Sequence, residues 1–126
     1  SPQQLDLATS LMQAVGETMI VPESLQDAVT AVSGSGPAYV FYLAEALTEA
    51  GVQVGLTRQQ ADKLARQMII GSARLLAAGE HPTVLRERVT SPGGTTAAGI
   101  RALDAHATRA AVSDAVWAAY RRSRGE

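Results

Sequence analysis

Four hydroxyl residues, two glycines and a proline are crowded into eight positions, Val89-Thr90-Ser91-Pro92-Gly93-Gly94-Thr95-Thr96. A turn between two helices needs one glycine, so the surplus invites a chemical reading. Pro92 disfavours helix at Ser91 and ends the preceding helix, while Gly93 and Gly94 permit backbone angles and close approaches that side chains would forbid. A helix that begins directly afterwards would direct the N–H groups of Gly94, Thr95, Thr96 and Ala97 out of its first turn, with the positive end of its dipole behind them. A small carboxylate or phosphate could bind those donors. A generously capped turn without any ligand accounts for the same residue types. A P-loop would carry lysine where Thr95 stands, which favours a carboxylate over a phosphate.

The other reactive residues are less organised. His81 and His106 are far apart, with no cysteine or paired carboxylate at ligand spacing, so no metal site is expected. His81 fits the turn opened by Pro82. Glu45 and Glu49 stand one helical turn apart on a polar side and read as solvated rather than as an acid pair. Ser35 lies in Gly34-Ser35-Gly36, but without the strand and histidine a serine nucleophile requires; capping is the better account. Tyr39, Tyr42, Trp117 and Tyr120 read as packing residues.

The elements that must position the loop are helical almost throughout. Residues 3–15 place Leu5, Ala8, Leu11, Met12 and Val15 near one stripe, stopped by Gly16. Thr18-Met19-Ile20-Val21 then reads as a short strand closed by Pro22, with no second strand to pair it. A helix over 24–32 is predicted to break at Ser33-Gly34-Ser35-Gly36-Pro37, and Ser35 to cap the next, which runs to about residue 50. That helix is apolar on two faces, through Val40, Leu43 and Leu47 on one and Tyr39 and Tyr42 on the other, so it must be covered twice. Thr57-Arg58-Gln59-Gln60 is a capping box, with Leu56 placed to staple onto Ala61; its helix carries a stripe of apolar or small residues at 61–76 and ends near Gly79. A short helix from Pro82 to Thr90 precedes the loop. Thr95 or Thr96 is predicted to cap the next helix and Thr108 the last one.

Composition sets outer limits. One domain of 126 residues can bury a core, and a net charge of −1 leaves no footprint for nucleic acid or an anionic membrane. Arg121-Arg122-Ser123-Arg124 is locally basic and reads as a helix C-terminus followed by a frayed tail. No cysteine is present, which fits a reducing cytoplasm, and no apolar run approaches the ~20 residues that span a bilayer. Small residues on the stripes and a two-faced helix suggest that another copy of the chain covers part of the surface.

Three segments now coincide with one family. The run VTAVSGSGPAY from Val29, the segment ALTEAGVQVGLTR at 46–58 and VTSPGGTT at 89–96 resemble the C-terminal domain of pyrroline-5-carboxylate reductase, in one register from about residue 1 to 121. The resemblance implies an all-α bundle that intertwines as a homodimer, able to assemble further. It implies an enzyme in which a separate Rossmann domain binds NADPH or NADH, and which reduces the imine of 1-pyrroline-5-carboxylate to L-proline, the last step of proline biosynthesis. By position, it implies that Ser91, Gly93, Gly94, Thr95 and Thr96 bind substrate, with the backbone holding the carboxylate and the Thr96 hydroxyl, the catalytic group, bonded to the ring nitrogen.

The chain departs from that family in lacking a G-x-G-x-x-G after any strand. Residues 1–22 are therefore expected to be the last αβ unit of a missing dinucleotide-binding domain, and residues 23–126 the helical dimerisation and substrate-binding domain. Such a piece is expected to bind no cofactor tightly and to be inactive alone. The competing class is a helical interaction module without catalysis.

Overall fold

The computed structural model describes residues 1–126 and contains helices but no strand. Helix α1 spans Pro2–Gln13, and its N-terminus is a capping box in which Ser1 and Gln4 satisfy each other's backbone N–H groups. A 3₁₀ turn at Glu23–Leu25 leads into α2 at Gln26–Val29 and a π turn at Thr30–Gly34. Then follow α3 (Gly36–Gln53), α4 (Arg58–Ala77), α5 (Pro82–Arg88), α6 (Thr95–Ala105) and α7 (Thr108–Ser123).

The hairpin of α3 and α4 is the best-packed part. Thr57 accepts the N–H of Gln60 while the Gln60 side chain accepts the N–H of Thr57, so the predicted capping box starts α4. The two helices approach closely at Gly51, where a Cβ would lie 2.9 Å from that of Ala61. Ala61 and Ala65 are buried along this seam, with Thr48 beside them donating its hydroxyl to the Ala44 carbonyl at 2.8 Å. Leu56 and Ala61 border one shallow apolar depression, as the staple requires. A second packing centre forms where α7 returns against α2 and the π turn, around fully buried Ala31. Ser123 donates to Asp27 at 2.6 Å there, so the end of α7 is tied down rather than frayed at that point.

Several local expectations need correction. Residues 18–21 form no strand, because no neighbouring strand is present to accept their ladder bonds. The Ser33–Pro37 run separates the π turn from α3 at Ser35, which holds the N-cap position as expected, but its side chain does not cap. Ser35 stays in right-handed helical geometry, and its N–H reaches back to Thr30 at 2.8 Å. Pro37 stands in the first turn of α3, where its missing N–H costs no bond. Thr108 is the first residue of α7, not its cap; Ala107 takes that position at φ 53, and the Thr108 hydroxyl donates to the Leu103 carbonyl at 2.8 Å.

The chain is far more open than its size predicts. A compact protein of 13.1 kDa exposes roughly 6,400 Å², whereas this one exposes 10180 Å². Four residues are buried: Ala31, Thr48, Ala61 and Ala65. The two-faced α3 leaves Phe41 67% and Tyr42 75% exposed, and α7 leaves Trp117 60% exposed. Helix α1 touches no other helix. No helix is long and apolar enough to cross a membrane.

Candidate functional site

The loop between α5 and α6 is built as a tight turn followed by a bare helix start. Pro92 and Gly93 occupy its corners, and the N–H of Gly94 closes it on the carbonyl of Ser91 at 3.1 Å. Gly93 has φ +70, which glycine adopts at no steric cost and which the second corner of a type II turn requires. Gly94 is the N-cap of α6, at φ −79 and ψ 178. Any residue adopts those angles, so the need for glycine at 94 is spatial. A Cβ there would lie 2.5 Å from the Ser91 hydroxyl oxygen and 3.2 Å from the Ser91 carbonyl oxygen.

With glycine as cap, no side chain covers the first turn. The first main-chain bond into α6 runs from Ala98 to Gly94 at 3.1 Å, and the N–H groups of Thr95, Thr96 and Ala97 find no acceptor within the chain. Neither Thr95 nor Thr96 acts as a cap. They occupy the first two helical positions, and their hydroxyls make no hydrogen bond in the chain. Of the four donors expected, Gly94 is already committed to the turn; three remain, and they converge at a helix N-terminus that carries no acidic residue in its first turn. Gly93, Thr95 and Thr96 are exposed, with Gly94 half-buried. This arrangement suits one small anion bound by main-chain donors, with hydroxyls beside it to contact a neighbouring polar atom.

The remaining candidates resolve differently. His81 caps α5, its Nδ1 accepting the N–H of Thr83 at 3.2 Å, and Glu80 pairs with Arg88 across the same short helix at 2.7 Å. Tyr39 is half-buried, with its hydroxyl 3.5 Å from the Ala31 carbonyl, and Trp117 stacks edge-on against Tyr120 at 5.6 Å. No group of three metal-ligating side chains is present. A hollow of about 410 Å³ lies away from the loop, between α3 and α4. Glu45, Glu49, Arg58, Asp62 and Arg66 line it. It is open to solvent and its best-defined contact is the pair of Arg66 and Asp62 at 2.8 Å, so it has the character of a solvated charged face. Sequence reasoning did not foresee this groove, because its charges come from two helices that only packing brings together.

The helical arrangement recurs in solved proteins. The chain superimposes with a TM-score of 0.92 and 41% identity on a pyrroline-5-carboxylate reductase from Coxiella burnetii, covering 99% of this chain and 47% of that one. It superimposes at 0.89 and 32% identity on a pyrroline carboxylate reductase from Plasmodium falciparum, solved with NADP bound, covering 99% of this chain and 51% of that one. The pyrroline-5-carboxylate reductase dimerisation family matches residues 23–126. The chain belongs to that family. A Synechocystis pyrroline-5-carboxylate reductase is 52% identical over 123 residues, which are 97% of this chain and 46% of that protein. The chain thus spans about half the length of the curated relatives it matches.

Proposed function

We propose that this chain is the dimerisation and substrate-holding part of a pyrroline-5-carboxylate reductase, and that the loop after α5 seats the substrate. One observation carries the reading: three unpartnered main-chain N–H groups at Thr95, Thr96 and Ala97, left open by a glycine cap and flanked by two free hydroxyls. The substrate carboxylate binds those donors, with the turn Ser91–Gly94 shaping the approach. The Thr96 hydroxyl donates a hydrogen bond to the ring nitrogen, which gains the C=N electron pair as hydride adds to the adjacent carbon and takes its proton from water. No titratable side chain is needed, in keeping with a loop whose side-chain chemistry is hydroxyl alone.

The hydride donor, NADPH or NADH in this reading, is not held by residues of this chain. It has no sheet edge and no glycine-rich strand-to-helix turn on which a dinucleotide pyrophosphate would rest. Residues 1–22 are then the terminal unit of the dinucleotide-binding domain, and the large apolar surface on α1, α3 and α7 is met by that domain and by a second copy of the chain. Dimers that associate further, and a cytoplasmic setting, belong to the same proposal.

Titration of the chain with L-proline, followed by amide NMR, tests the site. Shifts concentrated at Gly93 to Ala97 are expected. Uniform silence at these amides would remove the substrate-holding role and leave an interaction module whose only task is association.

A further inference from the structure

We propose that Thr90 is a positioning residue for this cradle, an inference that rests on the carboxylate reading above. The loop is held by very little. Helix α5 packs only on α4 and α6 only on α7, so no third element of the chain braces the segment between them. Its one side-chain hydrogen bond to a helix is from the half-buried Thr90, whose hydroxyl donates to the Arg86 carbonyl at 2.5 Å. The same carbonyl accepts the N–H of Val89 at 3.3 Å, and the Thr90 N–H reaches the Glu87 carbonyl at 3.0 Å. Thr90 therefore closes the last turn of α5 and sets the direction in which Ser91 leaves it. Ser91 in turn supplies both the carbonyl that closes the turn on Gly94 and the oxygen packed beneath Gly94. A pivot at residue 90 swings the whole donor set relative to α5. The Thr90 hydroxyl acts by keeping the loop in its binding-competent direction, and its loss lowers the fraction of chains ready to bind.

The test compares Thr90→Val, which keeps the branched shape without the hydroxyl, with Thr90→Ser, which keeps the hydroxyl. Apparent affinity scales with the competent fraction, so Thr90→Val is expected to weaken L-proline binding by roughly five- to tenfold, while Thr90→Ser stays within about twofold of wild type. The Gly94 amide should exchange with solvent faster in Thr90→Val and not in Thr90→Ser, with amides in the middle of α4 unchanged in both. Equal weakening in the two variants would assign residue 90 a packing role and overturn the proposal. So would proline affinity in Thr90→Val within twofold of wild type. If the wild-type chain itself shows no proline-dependent shifts at Gly93 to Ala97, the carboxylate reading falls, and the role of Thr90 in holding the turn is judged on exchange alone: unchanged Gly94 exchange in Thr90→Val overturns it.

Discussion

Replacing Thr96 by valine in a reductase that contains this domain should cut turnover by roughly ten- to a hundredfold while leaving substrate affinity nearly intact. Valine preserves the shape of threonine, and position 96 is an exposed second residue of α6 whose hydroxyl makes no bond within the chain, so the fold loses nothing. In the proposed site that hydroxyl faces the imine nitrogen, where negative character grows as the C=N bond is reduced. A hydrogen bond to a group of developing charge contributes on the order of 1.5–3 kcal/mol. Because the bond strengthens mainly in the transition state, its loss appears in kcat rather than KM. Steady-state kinetics distinguish the cases. A kcat within about twofold of wild type, far below that range, would show that the Thr96 hydroxyl has no such role.

Gly94→Val should act in the opposite sense, raising KM before it lowers kcat. The backbone angles at Gly94 suit any residue, so the effect is one of space. A Cβ would meet the Ser91 hydroxyl oxygen at 2.5 Å, forcing the turn to shift, and the valine methyl groups would stand before the open N–H groups of Thr95 and Thr96. Losing one hydrogen bond to a carboxylate costs about 1.5–3 kcal/mol. A rise in KM of roughly ten- to a hundredfold follows. Unchanged KM with unchanged fold would mean that the carboxylate sits elsewhere.

What the sequence made legible was local. The Thr57 box, the turn at Gly79 and the stripe of α4 depend on residues a few positions apart, and all three lie where periodicity and capping rules put them. The crowded loop was legible for the same reason, since proline and two glycines constrain the backbone wherever they occur. Errors arose where the outcome depends on packing. The break at Ser35 falls where Ser33 to Pro37 put it, but the helix before it widens into a π turn over Thr30–Gly34, packed by α7 around fully buried Ala31, and Ser35 makes no side-chain cap. Thr95, Thr96 and Thr108 have the side chains of caps, but each sits one or two residues inside its helix. Gly94 and Ala107 take the cap positions because the turns that precede them fix where the helices can start. The polar groove between α3 and α4 had no sequence signal at all, as its charges are separated by a hairpin.

The isolated chain is incomplete as a packed fold. A chain with four buried residues, and an α3 exposed on two apolar faces, is not a self-sufficient fold. Its surface exceeds that of a compact chain of the same mass by an amount on the order of 3,800 Å², more than the total area buried in a standard stable interface. Covering that area with a second copy is the direct physical solution, and it is what the dimerisation family implies. Sedimentation equilibrium on the 126-residue chain measures this most directly. The expected result is a folded species of twice the 13.1 kDa chain mass, whose helical signal fades on dilution together with the dimer. A helical, cooperatively unfolding monomer of 13.1 kDa at protein concentrations far above any interface dissociation constant would contradict it.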